Sequence, residues 1–158
     1  MMMNREELIQ STRVLKAPST TSAKEFESIH NVIAAELTRR MLERPDLERL
    51  IGLNNELMME NNSRNFLRFM VSIFENYEPT VLVETALWAF RAYRAHGFQI
   101  SYWPANLDTL VQILKEELPG PVYEEVYPFF NWLIVHIPAF VHISDLALQD
   151  GVEGFEHG

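Results

Sequence analysis

No cysteine occurs anywhere in the 158 residues, which excludes disulfides, thiolate metal sites and cysteine nucleophiles. Positive charge is scarce as well: 13 Lys and Arg stand against 22 Asp and Glu, leaving a net charge of -9. Affinity for nucleic acid rests on Lys and Arg neutralising phosphates. DNA, RNA and anionic membrane surfaces are therefore poor partners. Glycine is sparse too, six residues in all, and no glycine-rich phosphate loop, Ser/His/Asp order or zinc-ligand spacing can be found. An enzyme finds no motif to rest on, and a non-catalytic role is the expectation. No run approaches the roughly 20 apolar residues of a membrane span, so membrane insertion is not expected. Arg5, Glu6, Glu7 and Arg13 interrupt the apolar residues of the first segment, so a signal-peptide core is missing there. The simplest location on these grounds is the cytoplasm.

What is present is ordinary globular material, 47% hydrophobic and 22% charged, in a length that suits one domain. Apolar residues recur at helical spacing almost throughout, and no alternating strand pattern breaks in. Ser22 and Glu25 form a capping-box pattern before Phe26, Ile29, Ile33, Leu37 and Met41, which predicts a helix over 23–43. One or two short helices follow over 46–59. Asn61, Asn62 and Ser63 can cap a helix carrying Phe66, Leu67, Met70 and Phe74. Thr80 opens the next, which Gly97 stops. A further helix over 106–118 ends at Pro119-Gly120-Pro121. The segment 122–148 is apolar and aromatic, with Pro128 and Pro138 expected to bend or divide it. The organisation read from this is an N-terminal extension over 1–22, a helical domain over 23–148 and a flexible tail over 149–158 that can run on into a longer protein.

From Phe90 to Ile137 the stretch FRAYRAHGFQISYWPANLDTLVQILKEELPGPVYEEVYPFFNWLIVHI resembles the last three helices of bacterial globins. The shared order is a helix, a Gly-plus-apolar turn, an aromatic opening the next helix, an amphipathic helix ending in Leu-Pro, and an aromatic-rich closing helix. The resemblance implies an all-α, globin-like bundle of about six to eight helices. Arg44-Pro45-Asp46-Leu47 and the Asn-rich stretch after it look most like the regulatory members, the globin-type sensor domains and the haemless stressosome-type sensors. Phycobiliproteins share that fold but attach their pigment through cysteine. The resemblance also brings in haem as a cofactor, and here this chain departs from the pattern. Counting four residues back from Gly97, where the iron-binding histidine is expected, gives Tyr93. His96 lies three residues on, about 300° round the helix.

Each candidate residue has a functional and a plain reading. Phe66, Phe69, Met70, Phe74, Trp88 and Phe90, with Tyr93 and His96, can line a pocket for a small apolar or macrocyclic ligand, or simply fill a core. His96 or Tyr93 is the iron ligand if haem binds. The plain reading of His96 is a helix C-terminal residue favoured by the helix dipole. Arg64, Arg68, Arg91 and Arg94 can contact an anion, since guanidinium pairs bidentately with carboxylate or phosphate, or can serve the surface. Glu116, Glu117, Glu124 and Glu125 read as solvated helix faces, and His30, His136 and His142 as structural. Tyr123, Tyr127, Phe130 and Trp132 offer more aromatic surface than one helix face buries, which points to a homodimer interface. The expected function is a globin-like sensory or regulatory domain that signals through such an interface to a partner protein. A haem protein binding oxygen or another diatomic gas, and a helical adaptor without a ligand, are the alternatives.

Overall fold

The computed structural model describes residues 3–149, which form eight α-helices and no strand. In chain order they are α1 (Arg5–Ser11), α2 (Thr20–Leu42), α3 (Leu47–Ile51), α4 (Glu56–Glu75), α5 (Pro79–Ala95), α6 (Tyr102–Glu117), α7 (Gly120–Val135) and α8 (Ile137–Gln149). The all-helical bundle expected from periodicity is what the chain forms. The tail expected over 149–158 lies almost wholly outside the described residues.

The N-terminal segment packs on the main body. Asn4 and Glu7 cap α1 reciprocally, each side chain accepting from the other's backbone N–H at 2.9 and 3.0 Å. The helix then drives Leu8 into the core with no surface left exposed. Trp132 Nε1 of α7 donates to Ser11 Oγ at 2.9 Å, and the Tyr77 hydroxyl donates to the Thr12 carbonyl at 3.2 Å. A short apolar helix could find burial on the main body that its sequence alone did not announce.

Helix α2 is the central element, packing on α4, α6 and α7. Its N-cap is Ser19 rather than Ser22: Ser19 Oγ accepts from Ser22 N–H at 3.1 Å. Glu125 reaches over from α7 to accept from Ser19 N–H at 2.7 Å and from the Ser22 hydroxyl. A carboxylate at a helix N-terminus meets unpaired N–H groups and the positive end of the dipole, and these hydrogen bonds hold the Glu125 carboxyl below its ordinary range. Glu116 is likewise engaged, paired with Arg40 at 2.6 Å. Neither glutamate belongs to a purely solvated face.

Three other boundaries shift for identifiable reasons. Asn61, Asn62 and Ser63 lie inside α4 instead of capping it, because Asn62 finds its hydrogen-bond partner across the bundle. Helix α6 starts four residues earlier than expected, since Pro104 sits in its first turn, where no backbone N–H is needed. Helix α7 runs through Pro128, and the break comes at His136. Pro138 occupies the first turn of α8, again a permitted place. The two helices meet at 47°.

Aromatic rings build the core between α2, α4 and α7. Phe26 meets Phe74 edge-on at 4.9 Å, and Phe74 meets Phe129 at 5.1 Å. Edge-to-face pairs of this kind add about 0.5–1.5 kcal/mol beyond the area they bury. Gly97 ends α5 with φ 100°, the left-handed conformation expected of a helix stop. There the Asn55 amide donates to the carbonyls of Ile51 and His96 at 2.7 and 2.9 Å, clasping α3 to the α5–α6 turn. Among the described residues no single helix is long and apolar enough to cross a membrane; α7 and α8 pass that test only as a bent pair.

Candidate functional site

Helix α5 is held by α8 and α1 rather than by α4, and the space left between α4 and α5 is a cavity of about 160 Å³. Each wall is one stripe of a helix. Asn62, Phe66 and Phe69 face it from α4, and Leu82, Ala86, Ala89 and Tyr93 from α5. Spacings of three and four residues put each set on one side of its helix. Trp103, Asn106 and Leu107 close it from α6. The remaining wall comes from both sides of the α7–α8 break, Leu133 before it and Ile137 and Phe140 after it.

No residue lining this cavity carries a charge at neutral pH. Phe90 and Trp103 stack with centroids 5.1 Å apart and planes inclined by 25°, giving a flat aromatic wall. Tyr93 packs edge-on against Phe98 at 5.1 Å, and burial pushes its hydroxyl above the ordinary tyrosine range. Polar groups gather at one place. The Tyr102 hydroxyl, buried in α6, lies 3.1 Å from the side-chain amides of both Asn62 and Asn106. Desolvation raises its pKa well beyond the ordinary value, with the Asn62 hydrogen bond pulling the other way. Trp103 differs: its indole N–H is sealed from solvent and meets no acceptor among the described residues.

The expected pocket residues divide. Phe66, Phe69, Trp88, Phe90 and Tyr93 do line the cavity. Met70 and Phe74 do not; they are buried in the closed core, where Phe74 sits among Phe26, Phe129 and Phe130. His96 is exposed at the end of α5, outside the cavity. Two of the four arginines are held in ion pairs. Arg64 pairs with Glu60 at 3.6 Å and with Asn61, and Arg94 with Asp145 at 2.8 Å and with Ser144. Arg94 therefore ties the end of α5 to α8. Of the aromatic set expected at a dimer interface, Phe130 and Trp132 are buried within the chain, Trp132 tilted against His136 at 4.9 Å. Tyr123 and Tyr127 remain at the surface of α7, stacked on each other at 5.4 Å. Asn62, Asn106, Trp103 and Phe140 were not foreseen. The available signal was the polar pair Asn62 and Asn106, each standing beside an apolar stripe.

Haem does not fit these residues. A cavity near 150 Å³ takes a single benzene-sized ring, whereas haem spreads four pyrrole rings over one plane. Tyr93 reaches the cavity but His96 does not. Among the described residues no group of three or more His, Asp or Glu is placed to hold a metal ion.

No protein-family model matches the chain, and neither a curated protein nor a solved structure matches it significantly.

Proposed function

We propose that this protein is a sensory or regulatory domain that binds a small apolar molecule between α4 and α5 and passes the event on through α7 and α8. The observation that carries this reading is the cavity itself, uncharged, largely aromatic and walled by residues on both sides of the α7–α8 break. A packed interior leaves few voids larger than a water molecule. A ligand in this partly open space gives its apolar walls packing contacts that solvent does not supply. Because Leu133 lies on α7 while Ile137 and Phe140 lie on α8, filling the cavity favours one inter-helix angle over another, and a ligand shifts such an equilibrium by its differential affinity for the two states. Tyr93, which stands at the position given to the iron ligand in the globin resemblance, faces the cavity, and this supports a globin-like module with the ligand changed. Tyr123 and Tyr127 on α7 are the surface through which a second copy or a signalling partner takes the output.

Titration with toluene, followed by NMR at the Trp88 and Trp103 indole resonances, tests the binding step. Saturable shifts are expected for the natural sequence. Ala89→Phe, which places a ring in the cavity from α5, should abolish them while leaving the thermal midpoint unchanged or higher. Ala86→Leu serves the same purpose should the larger ring disturb folding. Absence of saturable toluene binding to the natural sequence would overturn the proposal.

A further inference from the structure

Resting on the reading of the cavity as a ligand site, we infer that its ligand is a neutral, single-ring molecule carrying a hydroxyl group, a phenol or a small aromatic alcohol, whose O–H meets the side-chain amides of Asn62 and Asn106. The two residues line the cavity from α4 and α6 and are 7% and 3% exposed. Tyr102 is the hydrogen-bond partner of both side chains, each amide lying 3.1 Å from its hydroxyl. A primary amide has two polar ends, one oxygen and one NH2 group, and the end placed on Tyr102 leaves the other turned away from it. Among the described residues, the buried, unpaired side-chain atoms that water cannot reach are Ser63 Oγ and Trp103 Nε1. The free ends of Asn62 and Asn106 are not sealed in this way, and so open onto the cavity that both residues line. Together they make a polar floor, fixed by Tyr102, in a wall of rings.

What this floor asks of a ligand follows from counting protons. With both amide nitrogens on Tyr102, two carbonyl oxygens are open. The Tyr102 hydroxyl has a single proton and can occupy at most one carbonyl. At least one oxygen is therefore open whichever way the amides are turned, and the second open end is an oxygen or an N–H. A ligand hydroxyl donates to the first and is able to accept from the second. A ketone or ether cannot donate, and a hydrocarbon does neither. The other polar groups of the wall set no opposing demand: Asn65 is exposed and Thr85 half-exposed, within reach of bulk water, and the Tyr93 hydroxyl both donates and accepts. An ionised ligand is disfavoured, since no lining residue is charged and a charge buried without a counter-ion is costly. The volume, about 160 Å³, suits one ring.

Phenol and toluene share the same heavy-atom shape and differ in O–H against CH3. Their dissociation constants are measured by NMR titration on the natural sequence and on the triple variant Asn62→Leu, Tyr102→Phe, Asn106→Leu, in which the floor is apolar and no member of the polar group is left stranded. The ratio of the toluene constant to the phenol constant should fall about tenfold in the variant, the size of one well-formed hydrogen bond in a buried site. In the natural sequence, phenol should move the side-chain carbonyl carbon of Asn62 or Asn106 downfield, beyond the ring-current shift that toluene produces. This second readout keeps the test decisive even if the triple variant does not fold. Carbonyl resonances that respond alike to both probes, or an equal ratio in the two proteins, would overturn the inference and leave the apolar ligand site standing. Failure of phenol and toluene alike to bind the natural sequence would overturn the two together.

Discussion

Replacing Tyr102 with phenylalanine tests the polar centre of the fold. The hydroxyl is buried, and the amides of Asn62 from α4 and Asn106 from the next turn of α6 both lie 3.1 Å from it. Tyr102→Phe removes one oxygen, changes the packing little and strands two buried amides. An unsatisfied buried polar group costs about 1–3 kcal/mol, so the loss for the pair is about 2–6 kcal/mol, the lower end applying where cavity water reaches one amide. At about 2–4 °C per kcal/mol for a chain of this size, the thermal midpoint drops by roughly 4–24 °C. Urea titration gives the same quantity as a shift in midpoint at constant slope. The decisive comparison is the triple variant Asn62→Leu, Tyr102→Phe, Asn106→Leu. Replacing all partners by apolar groups of similar shape is close to neutral, so the triple variant should regain most of the lost stability. The reasoning fails if Tyr102→Phe melts with the natural sequence, or if the triple variant is no more stable than the single one. A pH series adds an independent check. Burial raises the folded pKa of Tyr102 above its ordinary 10.0. The unfolded chain therefore releases this proton first, and stability is lost as pH rises past that value. Other buried tyrosines contribute to the same slope, and the difference between natural sequence and Tyr102→Phe isolates this one.

Further expectations are of the same kind. Leu8→Ala should destabilise the protein by about 2–4 kcal/mol in urea, the usual cost of emptying a closed leucine site, whereas a true extension would tolerate it. Glu36 is hydrogen-bonded by the Arg39 and Arg40 guanidinium groups, which hold its carboxyl at about 2 against an ordinary 4.5. Its contribution is present above 4.5 and lost as pH falls toward 2, so Glu36→Gln should flatten the acid limb of a plot of thermal midpoint against pH. Arg94→Met removes the tie to Asp145 and Ser144, and amide exchange in α8 should then accelerate more than in α2; equal exchange would show that the ion pair does not hold α8.

Helices were legible in the sequence because apolar periodicity is a local property. Phe26, Ile33, Leu37 and Met41 mark the buried face of α2 in any context. What escaped was whatever depends on a distant partner. Ser22 with Glu25 has the form of a capping box, yet Glu125, more than a hundred residues away, helps place the cap at Ser19. Asn62 reads as a helix starter until Tyr102 is known to lie opposite it. Phe66 and Phe74 are eight residues apart on one helix, and nothing local says that the first lines a cavity while the second fills the core. The aromatic excess of α7 suggests an interface, but Phe130 is consumed against Phe26 of α2 and Phe66 and Phe74 of α4, and Trp132 against Ser11 of α1 and Phe140 of α8.

The same geometry makes the proposed output measurable. Helices α7 and α8 are joined at His136 with no intervening loop. Trp132 lies tilted against His136 at 4.9 Å and meets Phe140 of α8 edge-on at 5.7 Å, a ring contact across that joint. Motion there must therefore be a change of angle between two packed helices, because a long flexible connection is absent. Phe140 belongs both to this contact and to the cavity wall, so a ligand that presses on it acts directly on the joint. The cysteine-free sequence allows two spin labels to be placed without background, through Glu124→Cys on α7 and Leu146→Cys on α8, both exposed positions. Pulsed EPR distances between them should shift or narrow when toluene saturates the cavity, and should not respond in the Ala89→Phe background. A distance distribution identical with and without saturating toluene, once binding is established by NMR, would mean that the cavity is a ligand store without an output through these helices.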